Sequence, residues 1–122
     1  MVVEAAPMAR DSNDAPEIPV FARCWNDGDF FMAHEVLEGL WIRCRDEGLR
    51  GLIQLAVALY HIERGNLKGA RTMIERARPR LQNPRNAPFG IDLALMDEYA
   101  ARVTAALAAD EPRSIVADRP RL

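Results

Sequence analysis

Apolar residues recur every three or four positions along most of the chain, and this spacing predicts a protein built of α-helices. Five stretches carry the pattern: about 19–25, 30–46, 49–64, 67–81 and 91–109. Gly, Asn, Asp and Pro punctuate the intervals, and Pro79 and Pro84 are expected to stop the fourth helix. The sequence therefore predicts an all-α, single-domain compact bundle of about five helices.

The second and third predicted helices differ in how their apolar residues are arranged. On the second they form one stripe, made of Phe30, Ala33, Leu37, Leu40, Trp41 and Cys44. The third, whose middle reads LIQLAVALYHI, is apolar on nearly every side. A helix of that kind is typical of the centre of a domain, so we expect it to be the most buried element.

A short internal repeat marks two helix junctions. Residues 28–33 read GDFFMA and residues 65–70 read GNLKGA, at an offset of 37. Both follow one predicted helix and open the next. The spacing is close to that of tetratricopeptide units, so we expect antiparallel hairpins of that type, although two copies are too few for an array.

The two ends of the chain lack helical periodicity. We expect a disordered N-terminal tail over 1–16, a bundle domain over 17–110 and a C-terminal tail over 111–122. No apolar run reaches the roughly 20 residues of a membrane span, and no export signal precedes the first helix. Cys24 and Cys44 form no CxxC pair and are expected to be small core residues. These features predict a cytoplasmic protein without a membrane partner.

Charge is unevenly distributed along the chain, with a formal −6 over residues 1–47 and +6 over residues 48–90. Lys68, Arg71, Arg78 and Arg85 give the fourth helix a basic surface that could bind phosphate or nucleic acid. Aromatic residues that would stack on bases are not interleaved with it. We therefore expect the basic stretch to lie against the acidic first third, within the chain or across a homodimer, and do not expect nucleic acid as a partner.

Four polar residues occupy positions that helix burial should exclude: His34 and Glu38 on the second helix, Gln54 and His61 on the third. If these helices form an antiparallel hairpin centred near residue 47, the two imidazoles lie at the same height. The four side chains then form one polar cluster. They either bond to one another and fix the helix register, or they bind a divalent metal through His34, Glu38 and His61.

Two functions remain open at this point. The absence of a nucleophile elbow, a Gly-rich phosphate loop or finger-type metal spacing favours a non-enzymatic module that binds a protein or small ligand near the second and third helices. The alternative is a metal-dependent hydrolase with the His34, Glu38 and His61 site, supported by Glu35 or Gln54. The sequence specifies neither substrate, pathway nor oligomeric state.

The run WNDGDFFMAHEVLEGLW, followed by GLIQLAVALYHIERGNLKGA, resembles the DUF309 family of small bacterial and archaeal helical proteins. The resemblance covers about residues 21–82. It implies a compact helical bundle, and the family has no established function. The family's recurring polar positions fall here on His34, Glu35, Glu38, Trp41, Gln54 and His61.

Overall fold

The computed structural model describes residues 15–83 and 88–122. Within these ranges the secondary structure is helical throughout, with no strand, which confirms the all-α prediction. The helices in chain order are α1 (Glu17–Asp27), α2 (Phe30–Cys44), α3 (Glu47–Glu63), α4 (Leu67–Gln82), α5 (Leu93–Ala108) and α6 (Pro112–Ala117), with a 3-10 turn at Pro88–Gly90. Most of the predicted N-terminal tail, residues 1–14, lies outside the described residues.

Helix α3 is the centre of the bundle, as its apolar sequence predicts. It packs against α2 on one side and α4 on the other, and it also contacts α5 and α6. Nearly every residue from Gly48 to Leu59 is buried. Gly51 lets α4 approach closely, since a Cβ atom at that position would lie 3.0 Å from the Arg80 Cβ. The order α2–α3–α4 therefore forms a layer with α3 covered on both flanks.

The internal repeat corresponds to two nearly identical helix junctions. Gly28 and Gly65 both adopt the left-handed conformation, at φ +81° and +79°, which glycine enters without steric cost. The next residue caps the following helix: the Asp29 side chain accepts a hydrogen bond from the Met32 amide, and Asn66 accepts one from the Gly69 amide. The repeat thus encodes a turn and cap. The relation to tetratricopeptide hairpins stays a prediction.

Aromatic side chains from three helices meet beneath α1. The Trp25 ring lies 5.7 Å from Phe30 and 6.1 Å from Tyr99, edge to face in both cases, and 6.0 Å from Phe21. The Tyr99 hydroxyl donates to the Ile115 carbonyl at 2.7 Å, and burial raises the pKa of this phenol. This cluster joins the two ends of the described chain.

The last segment differs from the expected loose tail. Residues 112–117 form α6, and Val116 is buried. Beyond it, Arg119 donates to the carbonyls of Trp25 and Asn26, both at 2.8 Å, and the Trp25 indole donates to the Pro120 carbonyl. The segment is therefore held against the C-terminal end of α1 and forms part of the bundle.

Helix α4 includes Pro79, which is exposed in its last turns, and ends at Gln82, one residue beyond the predicted end. One local expectation is corrected. Cys44, expected in the core, ends α2 as an exposed residue, whereas Cys24 is half-buried. Within residues 15–83 and 88–122, no helix is both long enough and apolar enough to span a membrane.

Candidate binding surface on the second and third helices

Helices α2 and α3 form an antiparallel hairpin whose register is fixed by two contacts. The Phe31 and Tyr60 rings lie 5.7 Å apart, and the Arg50 guanidinium lies 4.9 Å from the Trp41 ring centroid. Both pairs are centred between Arg45 and Asp46, the two residues that separate the helices. The hairpin centre therefore lies between one and two residues before the predicted position. His34 consequently falls level with residue 57 of α3, nearly one turn from His61.

Three neighbouring polar side chains of α2 do come together. The His34 Nε2 lies 3.4 Å from a Glu35 carboxylate oxygen, and ligand atoms of His34, Glu35 and Glu38 all lie within 4.8 Å of one another. The His34 Nδ1 lies 2.6 Å from the Phe31 carbonyl. Because a carbonyl only accepts, Nδ1 is the donor, and Nε2 is the nitrogen that faces the carboxylates. His34 is half-buried, whereas both glutamates are exposed.

His61 and Gln54 lie outside this group and bond to α4. The Asn66 amide nitrogen lies 3.3 Å from the His61 Nδ1 and donates to it, since the Asn66 carbonyl oxygen already caps α4. The Gln54 oxygen accepts from the Arg80 guanidinium at 3.3 Å, and Arg80 also donates to Glu47 at 2.8 Å. The structure thus divides the four-residue cluster expected from the sequence between the two flanks of α3.

Trp41 lies nearer the hairpin tip, and the side chains of two arginines contact its ring. The guanidinium carbon of Arg45 lies 4.4 Å from the ring centroid and that of Arg50 lies 4.9 Å from it. Arg45 adopts a left-handed conformation (φ 55°) where it ends α2. The Trp41 indole nitrogen is buried and has no hydrogen-bond acceptor among the described residues.

The solvent-facing side of α2 carries a pattern that the sequence reasoning did not single out. Phe31 is 46% exposed and Ile42 is 60% exposed. Glu35 and Glu38 lie between them, and the spacing i, i+4, i+7, i+11 puts all four residues on one side of the helix. We call these four residues the α2 outer stripe. The sequence prediction considered only the core-facing stripe of α2, although the same spacing rule also identifies the α2 outer stripe.

Two larger cavities lie at the other end of the bundle. They have volumes of about 490 Å³ and 340 Å³ and share Ile62 and Arg113 as lining residues. Their walls are otherwise the turn at Gly28, the start of α4 and α6. None of the candidate site residues predicted from the sequence lines either cavity, and the charged side chains that line the cavities are of mixed sign.

The basic surface of α4 is partly neutralised within the chain. The Arg78 guanidinium donates to Asp97 at 3.0 Å, and Arg71 donates to the Leu107 carbonyl at 3.3 Å. Both partners lie on α5, so these cations hold two helices together instead of facing a ligand. Lys68 is exposed, and Arg85 lies outside the described residues.

The comparisons with known proteins agree with the resemblance found in the motifs. The family model for DUF309, a domain of unknown function, matches residues 19–73, from α1 into α4. An uncharacterized protein of Aquifex aeolicus (strain VF5) is 34% identical over 83 residues, which is 65% of this chain and 25% of that protein. The chain thus spans about a quarter of that relative's length. No solved structure matches. The resemblance to DUF309 is confirmed over residues 19–73, and no function is established for that domain.

Proposed function

We propose that this protein is a non-enzymatic binding module that binds a basic, amphipathic helical segment of another protein along the α2 outer stripe. The observation that carries the proposal is the order of the stripe: an exposed aromatic residue, two carboxylates and an exposed aliphatic residue on one helix face. Phe31 and Ile42 are separated by about 16 Å along the helix. A partner helix with two apolar residues at the same spacing and cationic residues between them complements this order.

The energetics of the stripe favour association. Covering the exposed parts of Phe31 and Ile42 contributes roughly 2–3 kcal/mol in all. Glu35 and Glu38 add attraction for Lys or Arg, and they set the orientation and specificity of the encounter. The Phe31 ring is also held in place by its neighbours, since it packs on Tyr60 and its centroid lies 5.1 Å from that of the His34 ring. A supported, half-exposed aromatic side chain is typical of a binding hot spot.

Pairing of this stripe with a second copy of the chain is less favourable. In a two-fold contact each patch meets itself, so Glu35 and Glu38 would face the same carboxylates of the second copy. Like charges placed across an interface cost several kcal/mol. The charge pattern therefore favours a basic partner over a homodimer built on this face.

Reversing the charge of the stripe is expected to reverse its choice of ligand. The probes are two helical peptides of about 18 residues, roughly 27 Å long, with Leu at positions i and i+11. One has Lys at positions i+4 and i+7, and the other has Glu there. In fluorescence polarisation, we expect the Lys peptide to bind the native protein and to bind the double variant Glu35→Lys/Glu38→Lys about tenfold more weakly, since two ion pairs become repulsive. The Glu peptide is expected to prefer the double variant.

Glu98→Lys is the matched control, because Glu98 is an exposed carboxylate on α5, away from the stripe. It should leave both affinities unchanged. Equal binding of the two peptides to the native protein, or binding of neither, contradicts the proposal.

Divalent-metal binding is a second candidate function, and a specific observation supports it. Metal-binding histidines commonly donate their other ring nitrogen to a backbone carbonyl, as His34 does to Phe31. The distance of 3.4 Å between the His34 Nε2 and the Glu35 oxygen is close to the edge of about 3.3 Å expected between two ligands of a tetrahedral zinc site. Exposed Glu38 can rotate to supply a third ligand. Such a site leaves a position open, which the hydrolase hypothesis requires.

Single substitutions of the candidate ligands are expected to show which residues bind the metal: the group His34, Glu35 and Glu38, or the set predicted from the sequence, which includes His61. In calorimetric titration with zinc chloride, we expect about one ion per chain, and affinity at least about tenfold lower in His34→Ala and in Glu38→Gln. His61→Ala is the matched control, because the His61 Nδ1 already accepts from Asn66. An equal loss in His61→Ala would support the ligand set His34, Glu38 and His61 instead, and the absence of saturable binding would exclude both.

A further inference from the structure

Two cations near the hairpin tip lie against one aromatic side chain. The guanidinium groups of Arg45 and Arg50 lie 4.4 and 4.9 Å from the Trp41 centroid, so their carbons are at most about 9 Å apart. Neither arginine forms an ion pair with a carboxylate of the part of the chain that the structure describes. The separation between the two guanidinium carbons is comparable with the Debye length of about 8 Å at physiological ionic strength, so the repulsion between the two arginines is only partly screened.

The carboxylates nearest in sequence to Arg45 and Arg50 bond to other groups. The Asp46 side chain accepts the Leu49 amide and caps α3, and Glu47 accepts from Arg80 on the far side of α3. The Trp41 indole N–H belongs to the ring that both guanidinium groups contact, and it is a donor only. It is buried without an acceptor among the described residues, an uncommon condition for a polar group in a folded protein. Three donor groups, two of them cationic, therefore meet at the hairpin tip, and no carboxylate within residues 15–83 and 88–122 forms an ion pair or hydrogen bond with them.

We propose that the hairpin tip binds a phosphate group, held by the guanidinium groups of Arg45 and Arg50 and by the Trp41 indole N–H. A guanidinium donates through two parallel N–H groups, a geometry that matches the oxygens of a phosphate. A dianion between the two cations removes their repulsion, and one of its oxygens supplies the acceptor that the indole lacks. Arg45 and Arg50 are exposed, so their side chains can move aside and admit the ligand to the ring edge. This site is independent of the α2 outer stripe, and either can fail without the other.

The chain offers a direct probe of this site, because Trp25 and Trp41 are its two tryptophans. Trp25 is fully buried, and its indole N–H donates to the Pro120 carbonyl, so it gives a constant background. Inorganic phosphate is titrated into the full chain at constant ionic strength, with sodium chloride as the balancing salt. We expect a saturable change in tryptophan emission in the millimolar range. The Trp41 indole proton resonance should move downfield, as expected for a newly formed hydrogen bond.

The double variant Arg45→Gln/Arg50→Gln is expected to bind phosphate at least tenfold more weakly. Arg76→Gln, at an exposed arginine of α4, is the matched control and should bind phosphate as the native chain does. Phosphoserine and acetate distinguish a phosphate monoester from a carboxylate, and we expect the monoester to bind more tightly. Three outcomes overturn the proposal: a response no larger than that to chloride, a response retained in Arg45→Gln/Arg50→Gln, or an unmoved Trp41 indole resonance at saturation.

Discussion

Replacing Trp25 with alanine is expected to lower the free energy of unfolding by about 3–5 kcal/mol. The side chain is fully buried and lies among Phe21, Phe30 and Tyr99, so its removal leaves a cavity that three rigid rings cannot easily fill. The free energy of unfolding of a domain of this size is about 5–15 kcal/mol in total, so the variant loses a large share of its stability. Urea unfolding followed by circular dichroism at 222 nm measures the change.

Two further variants separate the causes of the Trp25 effect. Trp25→Phe keeps a ring but loses the hydrogen bond to the Pro120 carbonyl, so we expect an intermediate loss of about 1–2 kcal/mol. Ile42→Ala removes a side chain that is 60% exposed and should change stability by no more than about 0.5 kcal/mol. A loss in Trp25→Ala as small as that in Ile42→Ala would contradict the packing described for α1.

Arg119→Ala is expected to lower the free energy of unfolding by about 2–4 kcal/mol, although Arg119 lies only three residues before the last residue of the sequence. Its guanidinium donates at 2.8 Å to the carbonyls of Trp25, Asn26 and Val116, and it stacks on the Phe30 ring at 5.0 Å. The Trp25 carbonyl also accepts from the Gly28 amide at 3.1 Å, whereas the Asn26 carbonyl, at the end of α1, has no partner within the helix. Loss of the cationic donor is therefore destabilising, and the same urea experiment measures it.

Arg119→Lys tests whether the planar geometry matters. A single ammonium group cannot reach three carbonyls at once, so we expect Lys to restore less than half of the loss. Arg121→Ala is the matched control, since Arg121 is exposed and makes no hydrogen bond or ion pair to the described residues. If Arg119→Ala and Arg121→Ala were equally stable, the last residues would be a loose tail, as the sequence predicts.

Most of the helical framework could be predicted from local patterns. Helical periodicity placed α2 and α3 to within about two residues, because each has a long apolar face and an Asp cap at its start. The caps are Asp29 for α2 and Asp46 for α3. Helix α6 could not be found in this way, since six residues are too few to show a period. It is held in place by the Tyr99 hydroxyl of α5, which bonds the Ile115 carbonyl, and by residues more than 90 positions earlier in the chain, which bond Arg119 and Pro120 just beyond it.

The candidate site was predicted only in part, and the reason is geometric. The prediction that His34 lies opposite His61 depends on knowing the hairpin centre to within one residue. The observed centre lies between one and two residues earlier, which moves the position opposite His34 by about one turn of α3. Neighbours on the same helix need no such estimate, so the approach of His34 and Glu38, four residues apart, follows from their spacing alone. The contact between His34 and Glu35 does not follow from it, because adjacent residues on a helix do not usually face each other. The partners of Gln54 and His61 depend on the position of α4, which periodicity does not give.

Mapping of backbone amide shifts by ¹H–¹⁵N correlation spectroscopy, during titration with the Lys peptide, tests the central claim most directly. If α2 is the binding helix, the largest changes fall on Phe31, Glu35, Glu38 and Ile42 and on their immediate neighbours in α2. They should be absent in Glu35→Lys/Glu38→Lys. Changes concentrated on α4 and α5, or around the cavities beside Arg113, would show that the α2 outer stripe is not the binding surface.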